Sequence, residues 1–167
     1  MRFYLIGYMG CGKSTIGSLL SEINGIPFID TDEVIELAAG LTIPGYFEKY
    51  GEEEFRIKEG EVLRSTLLHQ KAIVATGGGM PCFYDYMSWM NQHGETIYLQ
   101  LTAEQLFHRL KQETSKRPML KGLEEKELLV HIAKQLEERE KYYLQATRII
   151  QCAESTPHQI AAAILSR

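Results

Sequence analysis

No apolar run in this 167-residue sequence approaches the length that crosses a bilayer, ~18 residues. The apolar start also lacks a signal peptide's basic opening and cleavage site, so a cytoplasmic protein away from membranes is expected. Cysteine is scarce: Cys11, Cys82 and Cys152 are odd in number, far apart and outside any CxxC. They outline neither a redox motif nor a metal site, and they suit a reducing compartment. A basic excess is missing too. The net charge of −4 argues against a nucleic-acid surface. The five histidines (His69, His93, His108, His131, His158) are scattered singly and form no ligand pair. Repeats, low-complexity stretches, linkers and a guanine-reading N-K-x-D are all absent. What remains is ordinary for one globular domain, with 44% apolar and 24% charged residues and enough length for a substantial core.

One stretch stands out. Gly7-Tyr8-Met9-Gly10-Cys11-Gly12-Lys13-Ser14-Thr15 matches G-x-x-x-x-G-K-[ST], the phosphate-binding P-loop. Glycines let the backbone curl so that successive N–H groups face a phosphate. Lys13 can then reach the β- and γ-phosphates, and the Ser14 hydroxyl is placed to ligate Mg²⁺. The phosphate-contacting stretch is Gly10, Cys11, Gly12, Lys13, Ser14 and Thr15. Cys11 occupies a position the motif leaves free and has no assigned role, although the neighbouring Lys13 and helix start would favour its thiolate and make it an alkylation target. The apolar run 2–6 before the loop reads as a strand, and the residues after it as a helix whose N-terminus adds to the anion site.

Four further strands are expected, at 27–30, 72–76, 96–101 and 148–152. Between them fall helices near 13–24, 33–39, 43–50, 52–69, 83–93, 103–112 and 124–145, with a last one opened by Thr156 and Pro157. Thr102 and Gln105 form a capping box. Strands alternating with helices indicate α/β architecture, a doubly wound parallel sheet covered on both faces. Ligands on such a sheet bind beyond the carboxyl ends of the strands. The P-loop, Asp30-Thr31-Asp32 and Gly77-Gly78-Gly79 all lie at such ends.

Asp30 and Asp32 could divide the work of phosphoryl transfer, one near Mg²⁺ and one near an acceptor hydroxyl. The plainer alternative is that this segment only caps the next helix. Arg56 lies in register with Gly60, Leu63 and Leu67, on the stripe that should face inward. Arg139 shares a stripe with Leu129, Ile132, Leu136 and Tyr143. Each arginine could snorkel to the rim or pair with an internal carboxylate, but two together suggest a grip on an anionic acceptor. The three glycines put bare backbone at a strand end, where a ligand can come close. Arg117 sits in a polar, basic excursion between two helices, either a solvated loop or a lid that closes over a transferring phosphate.

Taken together, the P-loop, Asp30-Thr31-Asp32, Gly51-Glu52 with Phe55-Arg56, Gly77-Gly78-Gly79, Arg117-Pro118, and Arg139 with Tyr142-Tyr143 resemble the shikimate kinases over nearly the whole chain. The P-loop is shared by many families, whereas this ordered set is specific to one. The resemblance implies a three-layer P-loop kinase with a five-stranded parallel sheet of order 2-3-1-4-5. It implies a single domain over 1–167, with an acceptor-binding helical segment near 31–60 and a lid near 113–123. The implied reaction moves the ATP γ-phosphate to the 3-hydroxyl of shikimate, on the chorismate route to aromatic amino acids. By the same resemblance Ser14, and Asp30 through a water, attend to Mg²⁺. Lys13, Asp32 and Arg117 are catalytic, with Asp32 holding the acceptor hydroxyl and Arg117 on the phosphates. Arg56 and Arg139 hold the shikimate carboxylate, Gly78 meets the ring, and the partners are ATP and shikimate. Separately from the resemblance, a monomer is expected. The segment 151–156, which should flank the adenine, is not distinctive.

Three rivals share parts of this pattern. A nucleoside-monophosphate kinase would need base-reading groups on the acceptor side. A gluconate-type kinase also takes a hydroxylated carboxylate and is the harder rival, opposed by the ordered motif set. A nucleotide-switched binding module would leave the lid and acceptor residues without a purpose.

Overall fold

The computed structural model describes residues 1–113 and 125–166. Five strands, β1 (Arg2–Ile6), β2 (Phe28–Asp30), β3 (Ala72–Ala75), β4 (Glu95–Gln100) and β5 (Arg148–Gln151), form one sheet in the order β2-β3-β1-β4-β5. Every pairing is parallel, and Leu5 lies opposite both Ala75 and Ile97. The middles of the three central strands, 3–6, 72–75 and 97–99, are apolar because helices cover both faces. Phe3 to Ile6 and Ala72 to Ala75 are all buried. The edge strands β2 and β5 are only partly covered.

The helices are α1 (Lys13–Asn24), α2 (Thr31–Ala39), α3 (Ile43–Ser65), α4 (Tyr86–His93), α5 (Ala103–Glu113), α6 (Glu125–Tyr143) and α7 (Pro157–Leu165). α1 packs against β3 and α7, and α5 against α6. α3 is two helices joined at Gly51, whose φ of 81° and ψ of 173° break the helical path where the sequence predicted a stop. The expected capping box of Thr102 with Gln105 forms, as does one between Thr156 and Gln159 ahead of Pro157. Besides the main core around the sheet there is a second, smaller one. In it Ile35, Phe55 and Val62 bind α2 to α3, with Val34, Ile43, Tyr46 and Phe47 packed on them. The helical segment expected to face the acceptor therefore has its own apolar support.

Four details depart from the sequence reading. α2 begins at Thr31, because Asp30 accepts the Asp32 N–H at 3.1 Å and caps it. The α-helix of α3 ends at Ser65 in a 3-10 turn over Thr66–Leu68, which leaves Leu67 off the buried stripe and 43% exposed. No helix runs through residue 83. Met80–Cys82 is a 3-10 turn, Phe83 is extended, Tyr84 adopts a left-handed φ of 49° and α4 starts at Tyr86. On α6 the buried stripe is headed by Leu128 rather than Leu129. Among the described residues no helix is long and apolar enough to cross a membrane.

Candidate active site

The P-loop leaves β1 at Gly7 and enters α1 at Lys13, and Gly7, Gly10 and Gly12 take φ values of 139°, 80° and 103°. Only glycine adopts such angles without strain, so the motif's glycines are backbone requirements. Lys13 Nζ donates to the carbonyls of Gly7 at 2.8 Å and Tyr8 at 3.0 Å, which holds its charge against the loop. The loop borders a cavity of about 190 Å³ lined by Met9, Gly10, Gly12, Lys13, Ser14 and Thr15 on one side. Asp30, Asp32, Thr76 and Gly78 close the other side. Strand ends from β1, β2 and β3 thus meet at one cavity, as a parallel sheet requires. Cys11 corrects one expectation. Its side chain is 1% exposed and belongs to the main core, so it presents no accessible target for alkylation.

Asp30 does two things. One oxygen caps α2, and the other accepts the Ser14 hydroxyl at 2.6 Å. Asp30 thus caps α2 and at the same time ties the helix start to the Ser14 hydroxyl of the P-loop. Asp32, two residues on, has a buried Oδ1 with no hydrogen-bond partner among the described residues. Burial, and then the neighbouring charge of Asp30, pushes its carboxyl up to about 6 against the pull of Lys13.

Arg56 is buried and doubly paired. Nη1 donates to Glu59 Oε2 at 2.8 Å, while Nη2 and Nε donate to Glu52 Oε1 at 3.0 and 3.3 Å. Its guanidinium carbon lies 3.9 Å from the centre of the Phe83 ring, a close cation–π contact that accounts for Phe83 leaving the helical path. Glu59 was not singled out in the sequence. Its signal was its place three residues after Arg56 on the inward face of α3. Burial pushes the Glu59 carboxyl up to about 7, with Arg56 holding it back.

The three glycines have different duties. A Cβ on Gly77 would lie 2.7 Å from Asp32 Oδ1 and 2.9 Å from Glu59 Oε1. A Cβ on Gly79 would lie 2.8 Å from Arg56 Nη1. Both therefore make room for the site's own side chains. Gly78 alone lines the cavity, with Arg139 Nη1 3.7 Å from its Cβ position and Tyr143 Oη donating to its carbonyl at 2.6 Å. Lys13, Ser14, Asp30, Asp32 and Gly78 thus share one cavity and Arg139 adjoins it at Gly78, whereas Arg56 lies one residue on, against Gly79, outside the cavity lining. Arg117 lies outside the described residues.

A second cavity of about 210 Å³ shares Gly12 and Thr15 with the first and extends past Arg109, Ser155, Pro157 and Ile160. Arg109 Nη1 donates to the Cys11 carbonyl at 3.2 Å. This arginine was also missed, although it follows the buried Leu106 by three residues, the periodicity that singled out Arg56 and Arg139.

The family model for shikimate kinase matches residues 9–167. The chain belongs to the shikimate kinase family. A shikimate kinase of Parabacteroides distasonis is 38% identical over 168 residues, covering 98% of this chain and 97% of the relative. Among solved structures, shikimate kinase from Bacteroides thetaiotaomicron superposes with a TM-score of 0.91 at 37% identity, covering 98% of this chain and 94% of that one. Shikimate kinase from Acinetobacter baumannii, solved in complex with shikimate, gives a TM-score of 0.85 at 33% identity, covering 98% and 90%. This chain's five-stranded sheet, with the P-loop following the central strand, thus superposes on solved shikimate kinases over nearly its whole length.

Proposed function

We propose that this chain transfers the γ-phosphate of ATP to the 3-hydroxyl of shikimate, giving shikimate 3-phosphate and ADP in aromatic amino acid synthesis. The observation that carries the reading is that Asp32, Arg139 and Arg56 meet Gly77, Gly78 and Gly79 in turn, along the strand exit that borders the P-loop cavity. A small hydroxylated carboxylate needs a cationic grip at one end and an acceptor for its hydroxyl proton at the other. Arg56 and Arg139 supply the grip, and Asp32 accepts the hydroxyl. The second cavity takes the adenine, against Arg109 and Pro157, and the shared Gly12 and Thr15 carry the nucleotide across to the phosphate cavity.

Mg²⁺ fits the residues present. Ser14 and Asp30 offer hard oxygens already in contact, and Mg²⁺ characteristically takes one or two carboxylates with substrate phosphates rather than a full protein cage. Ser14 and Asp30 would hold the ion, which would neutralise negative charge on the transferring phosphate. The chain's residues do the rest. The loop amides and Lys13 hold the phosphates, and Asp32 orients the 3-hydroxyl and takes up its proton as the new O–P bond forms. The resemblance to shikimate kinases assigns Arg117, which lies outside the described residues, to the transferring phosphate.

The test is ADP release from the protein mixed with ATP, Mg²⁺ and either shikimate or gluconate. Turnover with shikimate and not gluconate is expected. Preference for gluconate would overturn the acceptor assignment while leaving the P-loop reading in place.

A further inference from the structure

We propose that Tyr8 is a positioning residue for Arg139, through which the nucleotide loop sets the grip on the shikimate carboxylate. The proposal rests on the reading that Arg139 holds that carboxylate. Position 8 is one the P-loop motif leaves free, so phosphate binding does not demand a tyrosine there. Yet Tyr8 is only 1% exposed and is aimed away from the phosphate cavity, at α6. Its hydroxyl donates to Gln135 Oε1 at 2.7 Å. Its ring lies 5.6 Å from the Arg139 guanidinium carbon, within cation–π range. Gln135 and Arg139 are four residues apart, so one face of α6 presents both to the same tyrosine.

The two arginines of the site are held differently. Arg56 is fixed by Glu52 and Glu59. Arg139 has no carboxylate at ion-pairing distance among the described residues, so ring and hydroxyl contacts must restrain it. Tyr8 supplies the ring on the P-loop side and pins α6 one turn before the arginine. Tyr143, four residues on, ties the same helix to Gly78. The cluster closes on the loop again, because a Cβ at Gly78 would lie 3.4 Å from the Met9 nitrogen and 3.7 Å from Arg139 Nη1. A nucleotide that fixes the loop therefore fixes Arg139. By linkage, shikimate bound at Arg139 must tighten nucleotide binding by the same factor.

The experiment compares wild type with Tyr8→Phe, Gln135→Leu, the Tyr8→Phe/Gln135→Leu double variant, Arg139→Ala, and Tyr8→Phe/Arg139→Ala. KM is measured for shikimate, the dissociation constant of ATP without shikimate, and shikimate dissociation constants with and without ADP. Tyr8→Phe keeps the ring and volume and removes only the hydroxyl. It and Gln135→Leu should each raise the shikimate KM about three- to tenfold, as loss of one hydrogen bond predicts. The ATP dissociation constant measured without shikimate should stay within about twofold, and the first double variant should be no worse than either single one. The tightening of shikimate by ADP should shrink in both. On the Arg139→Ala background, Tyr8→Phe should cost shikimate nothing more. If Arg139→Ala leaves shikimate binding unchanged, the acceptor-site reading itself fails. If Arg139→Ala weakens shikimate but Tyr8→Phe and Gln135→Leu do not, or if their effects add in full to it, Tyr8 does not act through Arg139. An equal loss of ATP affinity measured without shikimate would likewise mean a general loop defect and overturn the proposal.

Discussion

Arg56 donates to Glu59 across 2.8 Å with the two side chains only 10% and 1% exposed, so the strongest cation beside Gly79 is already paired within the protein. Of its five N–H groups, three are used by Glu52 and Glu59, leaving one on each terminal nitrogen for a ligand carboxylate. Arg56→Lys keeps the charge but cannot satisfy two protein carboxylates and a ligand in one plane. Shikimate binding should weaken by ~1–3 kcal/mol, the range for charge-assisted hydrogen bonds. KM for ATP should hardly move. A loss in ATP affinity with shikimate untouched would make Arg56 a phosphate ligand instead.

Gly79→Ala tests the same grip without touching a charged residue. Gly79 has φ −84° and ψ −24°, angles any residue adopts, so the backbone accepts alanine. The new methyl would meet Arg56 Nη1 and Nη2 at 2.8 and 2.9 Å, and the flexible guanidinium must yield. The variant should melt close to wild type while its shikimate KM rises several-fold and its ATP KM stays put. A large drop in melting temperature would instead mean that Arg56 is locked too firmly to move.

Glu59 gives a pH signature in stability. Its folded-state pKa, about 7, lies above the unfolded value near 4.5. Between those values the folded protein holds a proton that the unfolded chain has lost, so this group's contribution falls as pH rises from about 4.5 to about 7. A tenfold difference in proton affinity between the two states corresponds to roughly 1.4 kcal/mol. Glu59→Gln abolishes the titration. Denaturant unfolding from pH 4.5 to 8 should show wild type losing stability relative to Glu59→Gln across that window. A difference that stays flat, or grows in favour of wild type, would mean Arg56 keeps Glu59 ionised throughout.

Much of this site was legible in the sequence. The P-loop, the strand exits at Asp30 and Gly77, and the inward slots of Arg56 and Arg139 follow from spacing alone, because spacing decides which atoms share a face or a turn. Sequence could not show why Gly77 and Gly79 are glycines. Their neighbours, Asp32, Glu59 and Arg56, arrive from other elements, and only tertiary packing brings them within 3 Å of the missing Cβ atoms. Glu59 and Arg109 were hidden for another reason. A charged residue on a helix is ordinarily solvated, and only the burial of Glu59 and the contact of Arg109 with the P-loop carbonyl mark them out. Phe83 misled the helix reading because its ring is committed to Arg56, a contact that overrides local propensity.

Asp32 carries the most demanding assignment. It stands two residues beyond the Asp30 that pairs with Ser14, lines the phosphate cavity and keeps a buried oxygen with no hydrogen-bond partner among the described residues. Leaving a buried carboxylate oxygen unsatisfied costs stability unless a ligand completes it, and an acceptor hydroxyl is such a ligand. Asp32→Asn keeps the size and one carbonyl oxygen but replaces a proton acceptor with an amide donor at the other atom. Transfer to shikimate should fall by ~10²-fold or more, in the range of lost general-base catalysis. Because Asp30, Ser14 and Lys13 are untouched, ATP should bind with near-normal affinity, and the Mg²⁺ concentration giving half-maximal rate should not change. The measurements are kcat, the ATP dissociation constant and the Mg²⁺ dependence of the rate in both proteins. Retained turnover with an altered Mg²⁺ requirement would move Asp32 to the metal side and leave the 3-hydroxyl without its base. Normal turnover with normal Mg²⁺ dependence would remove it from the chemistry altogether.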